Sequence, residues 1–246
     1  MMSLDGEIHV YRVYLNPLTD EAYQSLFELL DEEEQSRATR IRHRQTQCSF
    51  AIARASLRVI LARYLSIKPG DIRLVTGAKG KPRLAGTKTD QGLVFNVTHS
   101  GDCGLIACAR DTALGVDVES HRPMKEVDGI AERCFSVTEL AAWRKLPSSQ
   151  KLEAFFALWS FKEAFAKATG EGITMGLQSC TVDRYPQPRF LSVPSPYGQP
   201  EEWRLVAIDA GVGYSAGICY RDEERKIFLA DSGDPVNLLF NDVNMA

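Results

Sequence analysis

Short matches recur along this chain at a nearly constant offset, in the same order both times. "FAIA" at 50–53 is echoed by "FALW" at 156–159, and "PRL" at 82–84 by "PRF" at 188–190, each 106 positions on. "ACARD" at 107–111 returns as "ICYRD" at 218–222, 111 positions on. Because each match falls beside the same kind of predicted element, the chain reads as a unit of about 110 residues used twice. Two like units that pack together leave a crevice, and crevices are where small ligands commonly bind. The expectation is an α+β fold of two similar halves related by a pseudo-two-fold axis, with the active site between them. The halves are residues 1–112 and 113–246, the second carrying a C-terminal extension.

The totals narrow the function classes. A net charge of -3 and a pI near 5.9 argue against a general nucleic-acid binder, which needs a strongly basic domain. Charge is placed unevenly: "DEEE" at 31–34 is followed by "RATRIRHR" at 37–44. Cys48, Cys103, Cys108, Cys134, Cys180 and Cys219 include no C-x-x-C pair and sit in apolar surroundings, so they read as small buried hydrophobes in a reduced compartment. Acids and Arg12 interrupt any signal-peptide core in the first thirty residues, and no apolar run approaches the ~20 residues that span a bilayer. A cytoplasmic protein with no membrane partner follows.

Periodicity predicts a strand in "EIHVYRVYL", helices over 20–30, 31–46 and 48–65, then a strand and a Gly/Lys loop in "DIRLVTGAKGKPRL". Strands follow near 93–98, 104–110 and 113–119. In "FSVTELAAW", Ser136 and Glu139 form a capping box and Phe135 and Leu140 a hydrophobic staple. The longest helix covers 148–170, and strands are predicted at 177–183, 203–209 and 214–220. The last twenty-five residues carry no clear pattern.

Alternation in "LGVDVES" sends Leu114, Val116 and Val118 to one face and Gly115, Asp117 and Glu119 to the other. Two carboxylates ~4 Å apart repel by roughly 4 kcal/mol at an effective dielectric of 20, so a closed site needs a cation between them. Oxygen ligands suit Mg2+ or Mn2+. An exposed edge strand decorated with acids fits the same residues. On the 148–170 helix, Phe155, Leu158, Trp159, Phe165 and Ala166 form the buried stripe, Glu163 and Lys167 lie together at its edge, and Lys162 falls inside it. An ammonium inside an apolar stripe must snorkel or find an anion. Glu163 and Lys167 read either as an i,i+4 ion pair or as the helical partners of the strand acids. "GAKGKPRL" offers a cationic turn with close backbone approach, and "FNVTHSGD" places Thr98, His99 and Ser100 at a strand end.

Taken in order, "GKP", "FNVTHSG", "GVDVE" and "WSFKEAFAKATGEGI" resemble the Sfp-type 4'-phosphopantetheinyl transferases, closely over residues 80–172. The resemblance implies CoA bound between two similar halves, Mg2+ (or Mn2+) on its pyrophosphate, and transfer of the phosphopantetheine arm to a serine of an acyl or peptidyl carrier protein, with release of 3',5'-ADP. It makes Asp117, Glu119 and Glu163 the metal ligands and Glu163 and Lys167 the catalytic pair: Lys167 meets the leaving phosphate, and Glu163, or a base acting through metal-bound water, takes the serine proton. It makes Arg37, Arg40, Lys81, Thr98 and His99 contacts to CoA, and Lys162, which needs an anion inside its apolar stripe, is assigned to the same ligand. Arg42, Arg44 and Arg54 are further candidates beside "QTQCS", where many members carry Asp and Arg. Two fused halves remove the need for an oligomer, so a monomer is expected. A CoA-binding module without chemistry, and a metal-dependent phosphatase or nuclease, are the rival readings.

Overall fold

The computed structural model describes residues 4–16, 18–77, 79–85, 92–184 and 186–231, apart from the side chains at 173 and 174. The C-terminal extension beyond Asp231 lies outside the described residues. The first half runs β1 (Glu7–Tyr14), α1 (Asp20–Phe27), α2 (Glu32–Arg40), α3 (Arg44–Leu65), the hairpin β2 (Leu74–Thr76) and β3 (Pro82–Leu84), then β4 (Leu93–Ser100) and β5 (Cys103–Arg110). The second repeats that order with β6 (Leu114–Ser120), α4 (Val127–Cys134), α5 (Val137–Arg144), α6 (Ser148–Thr169), the hairpin β7 (Thr181–Asp183) and β8 (Arg189–Ser192), then β9 (Trp203–Ala207) and β10 (Tyr214–Arg221). Strand orders agree too: β1-β5-β4 in one sheet and β6-β10-β9 in the other, all antiparallel. One strand, β11 (Lys226–Asp231), has no counterpart and returns to the first sheet, parallel to β1.

Each sheet buries one face against its own long helix and the other against its twin. Tyr11, Val13 and Ile106 pack with Ile52, Ala55 and Ile60 of α3; Leu205 and Cys219 pack with Phe161 and Phe165 of α6. Between the sheets, Ile8, Val10, Leu105 and Ala107 meet Val116, Val118 and Ile218. This is the alternation that period-two patterning requires of strands covered on both faces. Among the described residues no helix is long and apolar enough to cross a membrane.

The duplication reaches individual hydrogen bonds. Asp31 and Glu34 form a capping box at the start of α2, and Ser136 and Glu139 form one at the start of α5, as their spacing predicts. In each half the capping glutamate also takes a fully buried cation from the 22-residue helix that follows. Arg58 of α3 donates Nε to Glu34 at 2.7 Å, pairs with Asp31, and donates Nη1 to the Ile72 carbonyl at 2.9 Å. Lys162 of α6 sits 2.8 Å from Glu139 and donates to the carbonyls of Leu177 at 2.8 Å and Cys180 at 2.6 Å. A buried charge is tolerated only when paired and hydrogen-bonded. Each lock meets that condition by tying a short helix, a long helix and the following loop together.

Two element predictions need correction, and three elements were missed. The helix predicted over 31–46 breaks: α2 ends at Arg40, Ile41 and His43 are extended, and Arg44–Gln47 opens α3. No Gly or Pro marks this break; it lets α2 fold back so that Asp31 and Glu34 reach Arg58. Only Thr181–Asp183 of the 177–183 prediction is strand, because Leu177–Ser179 makes a 3-10 turn that turns the Leu177 carbonyl to Lys162. Helix α4 and strand β8 were not anticipated. Nor was β11, whose alternation is weak and whose pairing partner is more than two hundred residues away.

Candidate active site

Strands β4 and β6 lie side by side at the junction of the halves, joined by side chains and not by a backbone ladder. Residues 96, 98 and 100 share one face of β4. Asn96 Oδ1 accepts the Val116 amide at 2.8 Å, Thr98 Oγ1 donates to Asp117 Oδ1 at 3.0 Å, and Ser100 Oγ donates to Glu119 at 2.9 Å. The "NVTHS" segment therefore serves mainly to hold the acids of "VDVES".

Helix α6 approaches the same strand from the other side at backbone contact distance. A Cβ on Gly115 would lie 2.0 Å from the Ala164 carbonyl oxygen and 2.4 Å from the Ala168 nitrogen, so only glycine permits the approach. The approach delivers Lys167, whose Nζ lies 2.7 Å from Asp117 Oδ1 and 3.2 Å from the Val116 carbonyl. Glu163, one turn earlier, is buried, and among the described residues neither its Oε1 nor the buried Asp117 Oδ2 has a hydrogen-bond partner. Burial, then repulsion by Asp117 and Glu119, lifts the Glu163 carboxyl to about 7 against the pull of Lys167. Burial also raises Asp117, with Lys167 opposing. The three acids thus sense one another electrostatically. Among the described residues, however, no three His, Cys, Asp or Glu groups converge as a ready metal cage. Glu119 turns one oxygen toward Ser100 and Arg122, the latter at 3.0 Å.

A cavity of about 430 Å3 adjoins this centre on the N-terminal side. Arg37, Thr46, Phe50, Arg54, Pro82 and His99 line it. The guanidinium carbons of Arg37 and Arg54 stand 5.2 and 5.7 Å from the Phe50 ring centre, which makes an aromatic face flanked by two cations. Burial lowers Arg54, as do its neighbours Arg37 and Arg58, whereas Glu34 opposes. Packing around His99, together with the Lys167 charge, lowers its pKa.

The residues expected to contact CoA divide. Arg37 and His99 line the cavity, and so does Arg54. Arg40 does not line it; its Nε donates to the Ser36 carbonyl on the α2 surface. Lys81 donates to the carbonyls of Leu114 and Lys167, at 2.9 and 2.7 Å, and so fastens the β2–β3 hairpin to α6; burial and Lys167 lower its pKa to about 8. Thr98 is buried and donates to Asp117, which makes it a positioner of that acid in this arrangement. Lys162 is corrected: it is fully buried, and Glu139, Leu177 and Cys180 take its three donors, leaving none for a ligand. Thr46, Phe50 and Arg122 were not singled out from the sequence, and Ser100 was noted at its strand end without a role. The polar alternation Asn96, Thr98, Ser100 was the available sign for Ser100.

Two like α+β halves, with coupled acids and a lysine at their junction beside an arginine-lined cavity, define a protein equipped to handle a phosphate ester. Comparison with known proteins gives the class a family. Residues 113–219 match the 4'-phosphopantetheinyl transferase superfamily, and residues 16–111 match the 4'-phosphopantetheinyl transferase N-terminal family. The 4'-phosphopantetheinyl transferase HetI of Nostoc sp. is 35% identical over 170 residues, 69% of this chain and 71% of its own. A putative 4'-phosphopantetheinyl transferase of Synechocystis sp. is 34% identical over 72% of this chain and 71% of its own. Sfp of Bacillus subtilis is 26% identical over 85% and 91%. The chain belongs to the 4'-phosphopantetheinyl transferase family.

Proposed function

We propose that this protein moves the phosphopantetheine arm of CoA to a serine of an acyl or peptidyl carrier protein and releases 3',5'-ADP. The observation that carries this reading is the junction itself. There Lys167 pairs with Asp117, and the Glu163 carboxyl feels both of them and Glu119, beside a cavity whose Arg37, Arg54 and Phe50 suit the phosphates and base of a nucleotide.

Asp117 and Glu163 each present a buried carboxylate oxygen with no partner among the described residues, a hard donor set that suits Mg2+ or Mn2+. Glu119 is the third acid we assign to the ion. When bound, the ion supplies Lewis-acid stabilisation to the phosphoryl oxygens. The chain's own groups do the rest. The cavity orients the nucleotide so that the serine oxygen can approach the β-phosphate in line. Glu163 takes the serine proton, and Lys167 meets the charge that develops on the leaving phosphate. His99, which lines the cavity and feels the Lys167 charge, contacts a phosphate. We further assign a cytoplasmic monomer built of halves 1–112 and 113–246, with β11 completing the first sheet.

The test is incubation with CoA, Mg2+ and an apo carrier protein, read by intact mass. Gain of one phosphopantetheine on the carrier serine is the expected result. Phosphate release without carrier modification would point to a hydrolase, and CoA binding with neither would point to a non-catalytic module.

A further inference from the structure

The two acids of β6 are held by matching pairs of groups. At Asp117, one oxygen takes a β4 hydroxyl, Thr98 at 3.0 Å, and a cation, Lys167 at 2.7 Å, while the other oxygen has no partner among the described residues. At Glu119, Oε2 takes the next β4 hydroxyl on that face, Ser100 at 2.9 Å, and a cation, Arg122 at 3.0 Å, and among the described residues no hydrogen bond forms to Oε1. Arg122 is itself fastened. Its Nη1 donates to the Ser120 carbonyl at 3.3 Å, and its guanidinium carbon lies 5.3 Å from the ring centre of Phe156 on α6. The His121 ring stacks on that same phenyl at 5.5 Å and hydrogen-bonds Ser215 of the neighbouring strand at 2.8 Å. The end of β6 is therefore tied to the helix that carries Glu163.

We propose that Ser100 and Arg122 are positioning residues for the metal: they pin one oxygen of Glu119, as Thr98 and Lys167 pin one oxygen of Asp117, so that each acid turns its remaining oxygen toward a shared divalent cation. This inference rests on the metal reading given above. The physical reason is entropic and electrostatic. A free glutamate has three rotors to immobilise before it can ligate, whereas an anchored one meets the ion with that ordering already done. A bystander ion pair at the lip would do neither.

Mn2+ binding to the full-length chain, followed by electron paramagnetic resonance with Mn2+ alone as probe, separates the possibilities. Arg122→Ala is expected to weaken Mn2+ binding about threefold to fivefold, the range one partly exposed ion pair commands, and Ser100→Ala by a similar factor. Arg122→Lys should recover most of the loss. In a Glu119→Gln background, Arg122→Ala should have no further effect, because the residue acts only through that carboxylate. Raising Mg2+ should restore transfer activity to Arg122→Ala. Thermal melts check that each variant is folded. Unchanged Mn2+ affinity in Arg122→Ala overturns the proposal, and tighter binding overturns it in favour of Arg122 as a competitor for Glu119. If Glu119→Gln and Asp117→Asn also leave Mn2+ binding unchanged, the metal reading fails and takes this inference with it.

Discussion

In the first half the long helix meets the facing strand through tyrosines: the Tyr64 hydroxyl of α3 lies 2.5 Å from that of Tyr11 and 2.6 Å from His9 Nδ1 on β1. In the second half the same meeting, α6 on β6, is made by Lys167 on Asp117, with Glu163 beside them. Both helices have 22 residues, and both are locked by a buried cation on a capping glutamate. Where the first half places Tyr11 and Val13 on the helix-facing side of its strand, the second places Gly115, Asp117 and Glu119. The frame was kept twice and the acids were introduced once. The first half instead supplies the arginine-lined cavity and the hydroxyls of β4. A duplicated scaffold can thus divide labour because the groups that hold it together differ from the groups that do chemistry.

The sharpest way to break this comparison is to alter the acids. Asp117→Ala or Glu163→Ala is expected to lower carrier modification by about a thousandfold or more with the melting temperature preserved, since the lost group stabilises charge and not the core. Carrier mass analysis beside a thermal melt checks it, and full activity in either variant would remove the acids from the reaction.

The locks come next. Glu139→Ala strands a fully buried ammonium and should cost about 3–5 kcal/mol in urea unfolding. Glu34→Ala should cost less, about 1–3 kcal/mol, because Asp31 still holds Arg58. Equal costs would mean that the locks are not shared out as described.

Gly115→Ala must push the α6 backbone off β6, and about 1–3 kcal/mol of stability should go with a turnover drop of at least about tenfold. The smallest effect belongs to the tyrosine side: Tyr11→Phe should cost about 1 kcal/mol and leave the transfer rate unchanged. Lys167→Ala, by contrast, should lower turnover more than CoA affinity; an effect confined to binding would reassign it to the cavity.

Much of this was legible in residue order. The Ser136/Glu139 capping box, the α6 span and the opposed faces of "LGVDVES" are local patterns, and local hydrogen bonding with side-chain alternation is enough to read them. Other features were not local. Lys162 inside an apolar stripe had two possible fates, and only the arrival of Glu139 and two loop carbonyls decided for a structural lock. Thr98, expected at CoA, also donates to Asp117 once β6 comes alongside β4, and that partner is nineteen positions away in the chain.

What the amino-acid order determined by itself was the repeated α+β pattern, the start of its box-capped helices, and which acids share a strand face, because each follows from groups a few residues apart. What only the tertiary structure decided was the assignment of each charged side chain to frame or to chemistry. That depends on which distant backbone or carboxylate reaches a buried cation first, and no short stretch of chain contains that partner.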